Sequence, residues 1–325
     1  MAEGKRRLIN IVSHGPACLD GAAAAAAVAR FYRREKVQTV FAANAESDRI
    51  IQSIPSRAGE DQEHQLWITD LSWTSTKTAE SLKRLVAEGT RVFWIDHHRT
   101  ALSRAGGPEF NVPFAGKVLT EQYSAAKLVF DFLNERASTL EGGDVEELER
   151  FSPVIAIADD HDRWVHQIKD SSDWALAVQT LGARDSYREM VKLRLPKMSP
   201  ILAQGMEIGR RAVRQSIELA RATQADTVAQ SGVRIRTACC FGYNSEVAAD
   251  LYNQQTNVVI ALYDLRSFGV SLRKSADCAV DLSKLAETFG GGGHDAAAGF
   301  EFPEIRSVLG RALAADLGER LAKAT

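Results

Sequence analysis

The chain has 325 residues, more than one hydrophobic core usually supports, so we expect two domains. The formal net charge of −2 excludes a global attraction to long nucleic acid or to an anionic membrane. The apolar run 8–12 is too short for a signal peptide or a membrane span, and the four cysteines show no CxxC spacing. These features predict a cytoplasmic protein with reduced thiols.

Short apolar runs alternate with helical patterns over residues 1–194, as in a mainly parallel sheet covered by helices. We expect strands at 8–13, 37–42, 65–69 and 91–95. Helices are predicted at 22–34, 75–88 and 124–133, the second of them ended by Gly89. This part of the chain is therefore predicted to be an α/β domain.

A second, smaller α/β domain is predicted over 224–325, after a long, charged connector helix at 195–223. Its strands are expected at 233–240, 258–263 and 269–273, and its helices at 246–253 and 282–289. A glycine tract at 290–293 and a strong amphipathic helix at 305–323 end the pattern.

Polar clusters follow three of the predicted strands directly. If these strands are neighbours, the shared carboxyl edge of the sheet brings together His14, Asp20, Asp70, Asp96 and His97. Two carboxylates about 4 Å apart repel by roughly 4 kcal/mol at an effective dielectric constant near 20, so gathered acids need protons or cations. Imidazole with carboxylate suits Mn²⁺, Zn²⁺ or Fe²⁺ better than Ca²⁺. The pattern favours a metal site.

Each acid also has a simpler interpretation. An aspartate at a strand end often forms a turn or caps a helix, and Asp20 before Gly21 can cap the alanine-rich helix. A fourth acidic cluster, with Asp159, Asp160 and Asp162, follows the apolar stretch 154–158. The coincidence of clusters at the ends of three strands is what favours metal binding over capping.

These motifs resemble those of the DHH phosphoesterase superfamily, in the subgroup with a C-terminal DHHA1 domain. The first motif is His14-Gly-Pro-Ala-Cys-Leu-Asp20, the second is Asp70, and Asp96-His97-His98 is the motif that names the family. The fourth is similar to Ala158-Asp-Asp-His-Asp-Arg-Trp164. In the second domain, Ser271-Leu-Arg273 and the segment 290–299 resemble the DHHA1 signature. The resemblance covers nearly the whole chain. Members of this superfamily include oligoribonucleases and phosphatases of 3′-phosphoadenosine phosphate.

The resemblance implies a two-metal phosphoesterase, usually dependent on Mn²⁺. One ion would bind His14 and Asp70, and the other would bind Asp20, Asp70, His97 and Asp160, with Asp70 as the bridge.

Two further residues of the family motif carry implied catalytic roles. Asp96 would orient its neighbouring histidine, and His98 would contact the scissile phosphate.

Cys18 departs from the family pattern, because most members place an aspartate four residues after the first histidine. Some relatives share this Cys-x-Asp-Gly variant. A Cys18 thiolate would be a ligand that shifts the preference toward Zn²⁺ or Fe²⁺. A neutral thiol would leave the first metal site weak, which is the interpretation we favour.

The glycine tract allows a ligand to approach the backbone closely at Gly291, Gly292 and Gly293. If 295–298 begins a turn of helix, the N–H groups form an anion site, to which Arg273 and His294 contribute as substrate-binding residues. The alternative is a flexible loop.

The tryptophans are expected to pack in the core or at its rim and not to stack on bases. This expectation covers Trp67, Trp73, Trp94 and Trp164.

The sequence thus predicts an enzyme that hydrolyses short oligonucleotides or small nucleotides in a cleft between its two domains. Alternatives are a phosphatase of 3′-phosphoadenosine phosphate, a cyclic-dinucleotide phosphodiesterase, or a nucleotide-binding sensor that has lost turnover through Cys18. No basic track for long DNA and no membrane partner are expected, and a homodimer is left open.

Overall fold

The computed structural model describes residues 6–56, 62–107, 110–194, 197–252, 255–302 and 304–324. The chain forms two compact units, Met1–Gly209 and Arg210–Thr325. The boundary falls within a helix at Pro200–Thr223, where the sequence predicts the connector. Leu195 and Pro196, the first residues of the predicted connector, lie outside the described residues.

The first unit contains a parallel sheet of five strands, in the order β2-β1-β3-β4-β5. The strands are β1 (Arg6–His14), β2 (Lys36–Ala42), β3 (Gln62–Thr69), β4 (Arg91–Asp96) and β5 (Gly116–Leu119). The helices are α1 (Leu19–Phe31), α2 (Ser47–Gln52), α3 (Thr76–Ala87), α4 (Arg99–Arg104), α5 (Ala125–Glu135), α6 (Val145–Glu149), α7 (Ser152–Asp162), α8 (Ser171–Leu181), α9 (Ala183–Lys192) and α10 (Pro200–Thr223). The predicted α/β class is confirmed, and β5 is a strand that the sequence did not predict.

Helices cover both faces of this sheet, because alternate strand residues point to opposite sides. Ile9 and Ile11 belong to one core with α1, α5, α7, α8 and α9, whereas Val12 belongs to the other with α2, α3 and α4. Every residue of α1 is buried. Its alanine run lets the helix lie close to the sheet and to its neighbouring helices.

The second unit contains a mixed sheet of six strands, in the order β10-β11-β9-β8-β7-β6. Among the described strands of this second sheet, β7 and β8 pair in parallel and the other pairs are antiparallel. The elements are β6 (Ala225–Val228), β7 (Arg234–Cys240), α11 (Asn244–Tyr252), β8 (Val258–Asp264), β9 (Gly269–Lys274), α12 (Leu282–Glu287), β10 (Gly292–Gly293), β11 (Ala297–Glu301) and α13 (Glu304–Ala324). Strands β6, β10 and β11 were not predicted, and Asn253 at the end of the predicted helix 246–253 lies outside the described residues.

The glycine tract forms part of a β-hairpin, so the expectation that 295–298 begins a helix is wrong. Gly292 and Gly293 pair with Gly299 and Ala298 across the hairpin. A Cβ at Gly291 would lie 2.2 Å from the Gly299 carbonyl oxygen. Glycine is therefore needed here for close strand pairing, and no helix N-terminus is present at 295–298 to form the expected anion site.

The terminal helix α13 is present where an amphipathic helix was predicted. Its side chains are exposed wherever they are described, apart from the half-buried Ile305. Among the described residues, no helix combines the length and apolar character that crossing a membrane requires.

Helix α1 starts against the end of β1, and Gly21 allows this approach. A Cβ at Gly21 would lie 2.2 Å from the His14 carbonyl oxygen and 3.1 Å from Asp70 Oδ2. Both contacts are shorter than normal van der Waals separations. The strand and helix can keep this spacing only with glycine at that position.

We expect Gly21→Ala to lower the free energy of unfolding by about 1–3 kcal/mol, although alanine is the better helix former. Gly106→Ala is the matched control, since no atom lies within 4 Å of a Cβ there. It should change stability by less than about 0.5 kcal/mol. Urea unfolding of the three proteins measures both values, and a Gly21→Ala protein as stable as the parent would contradict the packing argument.

Candidate metal centre

Three neighbouring strands bring polar side chains to one edge of the first sheet. His14 ends β1, Asp70 follows β3, and Asp96 ends β4. Since β3 pairs with both β1 and β4, Asp70 lies between the other two strand ends. The condition on which the sequence-based prediction depended, that these strands are neighbours, is met.

Asp70 is the central residue of the cluster. Its Oδ2 lies 3.5 Å from His14 Nδ1 and accepts a hydrogen bond from Cys18 Sγ at 3.3 Å. Its Oδ1 lies 3.3 Å from His97 Nε2 and 3.8 Å from His98 Nδ1. The two oxygens of one carboxylate thus face two different sets of nitrogen and sulfur atoms.

The backbone of Asp70 is in the left-handed region, with φ of 55°. Such a conformation costs roughly 1–3 kcal/mol for a residue other than glycine, and aspartate is among the types that tolerate it. A hydrogen bond from Asp70 N to Ile95 O, 3.0 Å long, holds the turn against β4. The strained conformation directs the side chain back over the sheet edge.

Asp20 connects the cluster to the fold. It lies in the first turn of α1, but its oxygens accept hydrogen bonds from Ala125 N (2.7 Å) and Ala126 N (2.8 Å) at the start of α5. Its Oδ2 also lies 3.7 Å from His97 Nε2. The residue that caps α1 is Cys18, whose Sγ accepts from Gly21 N at 3.4 Å, so the simpler interpretation of Asp20 as the cap of α1 is not what the structure has.

The three aspartates of the fourth acidic cluster have three different positions. Asp159 Oδ1 accepts from Ser124 N at 2.8 Å, beside the bonds that Asp20 makes to α5. Asp160 is buried, and its Oδ1 accepts from Gln167 N at 2.8 Å. Asp162 Oδ2 lies 3.6 Å from His97 Nε2.

The structure therefore brings Asp162, and not the predicted Asp160, to the histidine and aspartate cluster. Residues two apart on an α-helix point about 200° away from each other, so only one of the pair can face the sheet edge. The acidic cluster itself was visible in the sequence. The phase of α7 that separates its members was not.

Asp96 positions the two histidines that follow it. Its Oδ1 accepts from His97 N (2.8 Å), from His98 N (3.2 Å) and from His98 Nδ1 (2.8 Å). Burial alone would lower the pKa of His98, but Asp96 and Asp70 outweigh it and raise that pKa to about 9. His98 is thus held as a cation with Nδ1 occupied and Nε2 on the opposite side of the ring.

Several buried atoms at the centre have no hydrogen-bond partner among the described residues. They include Asp70 Oδ1 and His97 Nε2, which face each other without the geometry of a hydrogen bond, and Asp96 Oδ2. A buried polar atom without a partner costs about 1–3 kcal/mol. A divalent cation would satisfy the oxygen and the nitrogen together.

Within the part of the chain that the structure describes, three overlapping groups of donor atoms fit a metal ion, each with its atoms within 4.8 Å of one another. The groups are His14, Cys18 and Asp70; Asp70, His97 and His98; and Asp20, His97 and Asp162. The donors are carboxylate oxygens and imidazole nitrogens with one sulfur, a set suited to Mn²⁺, Zn²⁺ or Fe²⁺. The residues present therefore fit the divalent metal ions that the sequence motifs implied.

Protons balance the crowded acids when no cation is bound. Burial and the charges of Asp70 and Asp162 raise the pKa of Asp20 well above its usual value. Burial raises the pKa of Asp162 to about 6. Burial alone would lower the pKa of His97. The close contact with Asp70 and the negative charges of Asp20, Asp162 and Asp70 outweigh burial and raise this pKa to about 10.

The thiol of Cys18 is also protonated when no cation is bound. Burial and the charges of Asp70 and Asp20 raise its pKa well above the usual range, so it is a neutral thiol in the absence of a cation. Its proton is donated to Asp70 Oδ2.

The candidate substrate-binding residues of the second unit lie on β9 and on the hairpin. Arg273 is half-buried, and its hydrogen bonds go to the neutral acceptors Ser271 Oγ, Leu272 O and Ser245 Oγ. His294 is exposed at the hairpin turn, where its backbone exchanges hydrogen bonds with Ala297.

No protein-family model and no curated protein matches the sequence. Solved structures do match the fold. A pGpG-specific phosphodiesterase, PggH of Vibrio cholerae, has a TM-score of 0.52 at 15% identity, and the match covers 97% of this chain and 99% of that one. RecJ of Thermus thermophilus, solved with Mn²⁺, has a TM-score of 0.58 at 15% identity, over 93% of this chain and 50% of that one.

The DHH domain of a protein described as a member of a family of ribosomal proteins also matches. Its TM-score is 0.53 at 16% identity, over 96% of this chain and 86% of that one. Each of these likenesses extends over nearly the whole of this chain, as the sequence motifs do. The chain therefore shares its fold with these solved structures.

Proposed function

We propose that this protein is a phosphoesterase that depends on divalent metal ions and hydrolyses short oligonucleotides or small nucleotides. The observation that carries the proposal is the position of Asp70, whose two oxygens face separate donor sets at the carboxyl edge of a parallel sheet. One carboxylate placed in this way can serve two cations. Two cations held close together are suited to phosphate ester hydrolysis.

One ion would be held by His14, Cys18 and Asp70, and the other by Asp20, Asp70, His97 and Asp162. When bound, such ions lower the pKa of a water molecule and neutralise charge on phosphate oxygens. Asp70 would be the bridge. Asp162 takes the place that the sequence-based prediction gave to Asp160.

His98 is the protein group that we propose contacts the phosphate. Its Nδ1 donates to Asp96 Oδ1, so its orientation is fixed and its charge is supported. The opposite nitrogen, Nε2, can donate to a phosphate oxygen. Asp96 acts as a positioning residue, since its own contacts are with backbone and imidazole N–H groups.

Mn²⁺ is the cation that we favour, because the donors are carboxylate oxygens and imidazole nitrogens apart from one sulfur. A neutral Cys18 thiol gives the ion on His14 one anionic ligand fewer than an aspartate would, which supports a weak first site. Zn²⁺ or Fe²⁺ would instead be preferred if metal binding displaced the thiol proton.

We propose that the second unit holds the part of the substrate that does not react. Arg273 carries a positive charge whose described hydrogen bonds go to neutral acceptors, so its charge can serve a phosphate group. His294 and the glycine hairpin at 291–293 present exposed backbone and an imidazole on the same sheet.

Dinucleotides are the first substrates to test, since PggH is described as specific for pGpG. A phosphatase acting on 3′-phosphoadenosine phosphate and a cyclic-dinucleotide phosphodiesterase are the other enzymatic candidates. One observation favours a nucleotide sensor without turnover, namely the neutral thiol of Cys18 where a carboxylate would complete the first metal site. Turnover assays on the three substrates separate these functions.

Asp70→Asn tests the proposal directly. Asparagine also tolerates the left-handed backbone at this position, so the fold should persist. We expect kcat/KM for a dinucleotide with saturating Mn²⁺ to fall at least about 10²-fold, because a group that stabilises charge is lost. Circular dichroism and thermal unfolding provide the control for folding. Retention of more than about a tenth of the activity would rule out a bridging role.

Asp162→Asn and Asp160→Asn form a matched pair that tests the ligand assignment. We expect Asp162→Asn to weaken Mn²⁺ binding by about tenfold or more, since even outer-shell losses cost 10–100-fold. Asp160→Asn should leave Mn²⁺ affinity within about twofold, because its carboxylate bonds to the Gln167 backbone. Titration calorimetry measures both affinities, and a larger loss for Asp160→Asn would restore the original assignment.

Mn²⁺ affinity should rise with pH. Without metal, the pKa of His97 is about 10, so the imidazole is protonated near neutrality, whereas a metal ligand must be neutral. Binding therefore releases a proton. At pH values below that pKa, each increase of one pH unit should lower the dissociation constant for Mn²⁺ by up to about tenfold. Calorimetry in buffers of different ionisation enthalpy counts the protons. His97→Gln should release fewer, and a parent protein that releases none would contradict the assignment.

A further inference from the structure

Trp164 differs from the other four tryptophans of the chain. Trp67, Trp73, Trp94 and Trp174 are at most 3% exposed, whereas Trp164 is 51% exposed. The sequence-based expectation of core or rim packing therefore holds for the first three tryptophans and leaves the exposed ring of Trp164 to be explained.

This exposed ring lies next to the candidate metal centre. Helix α7 ends at Asp162, and His161 beside it lines a cavity of about 170 Å³ together with Cys18 and Asp20. The His161 ring is 5.7 Å from the Trp164 ring, measured between centroids. A single imidazole thus separates the indole from the residues that we propose hold the ions.

The segment that carries Trp164 is held in a strained conformation. Trp164 and His166 both have positive φ, 57° and 52°. Bulky residues rarely adopt this conformation, and where they do the surrounding structure fixes them, often at a functional site.

The strained segment is fixed by hydrogen bonds and by a ring contact. Trp164 N donates to His161 O (3.0 Å), Val165 N donates to Asp160 O (2.9 Å), and Gln167 N donates to Asp160 Oδ1. The His166 ring packs edge-on against the indole, with centroids 4.2 Å apart. The indole is therefore presented to solvent in a set orientation, and the buried Asp160 has a clear role in shaping the segment.

We propose that Trp164 is a stacking platform for a nucleobase of the substrate, beside the phosphate that reacts. An indole ring offers the largest aromatic face for a base, and such stacking tolerates any base. His161 lines the cavity beside the indole, and its buried Nδ1 has no hydrogen-bond partner among the described residues. This inference rests on the proposed function, because it names the substrate as a nucleotide whose base adjoins the reacting phosphate.

Tryptophan fluorescence provides a test that does not depend on turnover. Because the other four tryptophans are buried, the emission that iodide can quench reports on Trp164. We expect a phosphorothioate-linked dinucleotide, which resists hydrolysis, to quench this emission in the Mn²⁺-loaded protein. The matching abasic compound should not quench it, and Trp164→Phe should lose the signal.

Kinetics provide the second test. Trp164→Ala should raise KM for a dinucleotide by about 10-fold with little change in kcat, and Trp164→Phe should restore most of the loss. For a dinucleotide whose adjoining base is absent, the same substitution should raise KM by less than about twofold. His166→Ala, which removes the ring behind the indole, should give a smaller rise in KM for the dinucleotide.

The outcomes separate this inference from the proposed function. Turnover by the parent protein with an unchanged KM in Trp164→Ala, or equal losses with and without the base, would overturn the stacking platform and leave the phosphoesterase proposal intact. Quenching without turnover of any substrate would support the platform and reject the enzyme. If the dinucleotide caused no quenching and no substrate was turned over, both the stacking platform and the phosphoesterase proposal would be rejected.

Discussion

Repulsion among carboxylates at one edge of the first sheet is the constraint on which the centre depends. Asp20, Asp70 and Asp162 all lie within 4 Å of the same atom, His97 Nε2. At an effective dielectric constant near 20, each pair of such charges costs a few kcal/mol, which is comparable to the whole stability of a domain. Without a cation, protons on the imidazole and on Asp20 offset the repulsion. With a cation bound as we propose, the same atoms would be its ligands.

Backbone hydrogen bonds hold Asp20, Asp70 and Asp96 in place at this edge. Asp20 holds the first N–H groups of α5, Asp96 holds the two residues after β4, and Asp70 is fixed by its bond to Ile95 O. The positive end of the α5 dipole favours a carboxylate at Asp20 and works against the effect of burial. Gly21 then lets α1 come close enough to complete the arrangement. The residues of the site are thus also residues of the framework.

The sequence was most informative where chemistry coincided with the end of a strand. The apolar runs before His14, Asp70 and Asp96 predicted three parallel strands and their common edge, because strand polarity determines where the following residue lies. The sequence was less informative where the geometry depended on the rotation of a helix about its axis or on which strands pair. Asp160 and Asp162 share one residue type and one helix, and only the rotation of α7 against the sheet distinguishes them. The hairpin of β10 and β11 has few apolar side chains and is formed by glycine contacts, so no periodic pattern marks it.

Cys18 affects the charge of the candidate metal centre while it keeps the start of α1 in place. Its sulfur caps α1 by accepting from Gly21 N, as an aspartate oxygen at that position would do, so the start of the helix is preserved. Its proton goes to Asp70 Oδ2, which occupies one lone pair of the oxygen nearest to His14. If Cys18 bound a cation as a thiolate, that proton would have to leave a sulfur whose ionisation three carboxylates oppose. A cation on His97 would meet no sulfur in the proposed set, because the other candidate ligand atoms there are carboxylate oxygens. The two proposed positions therefore differ in the proton that a cation would meet, which is on a thiol at one position and on an imidazole among carboxylates at the other.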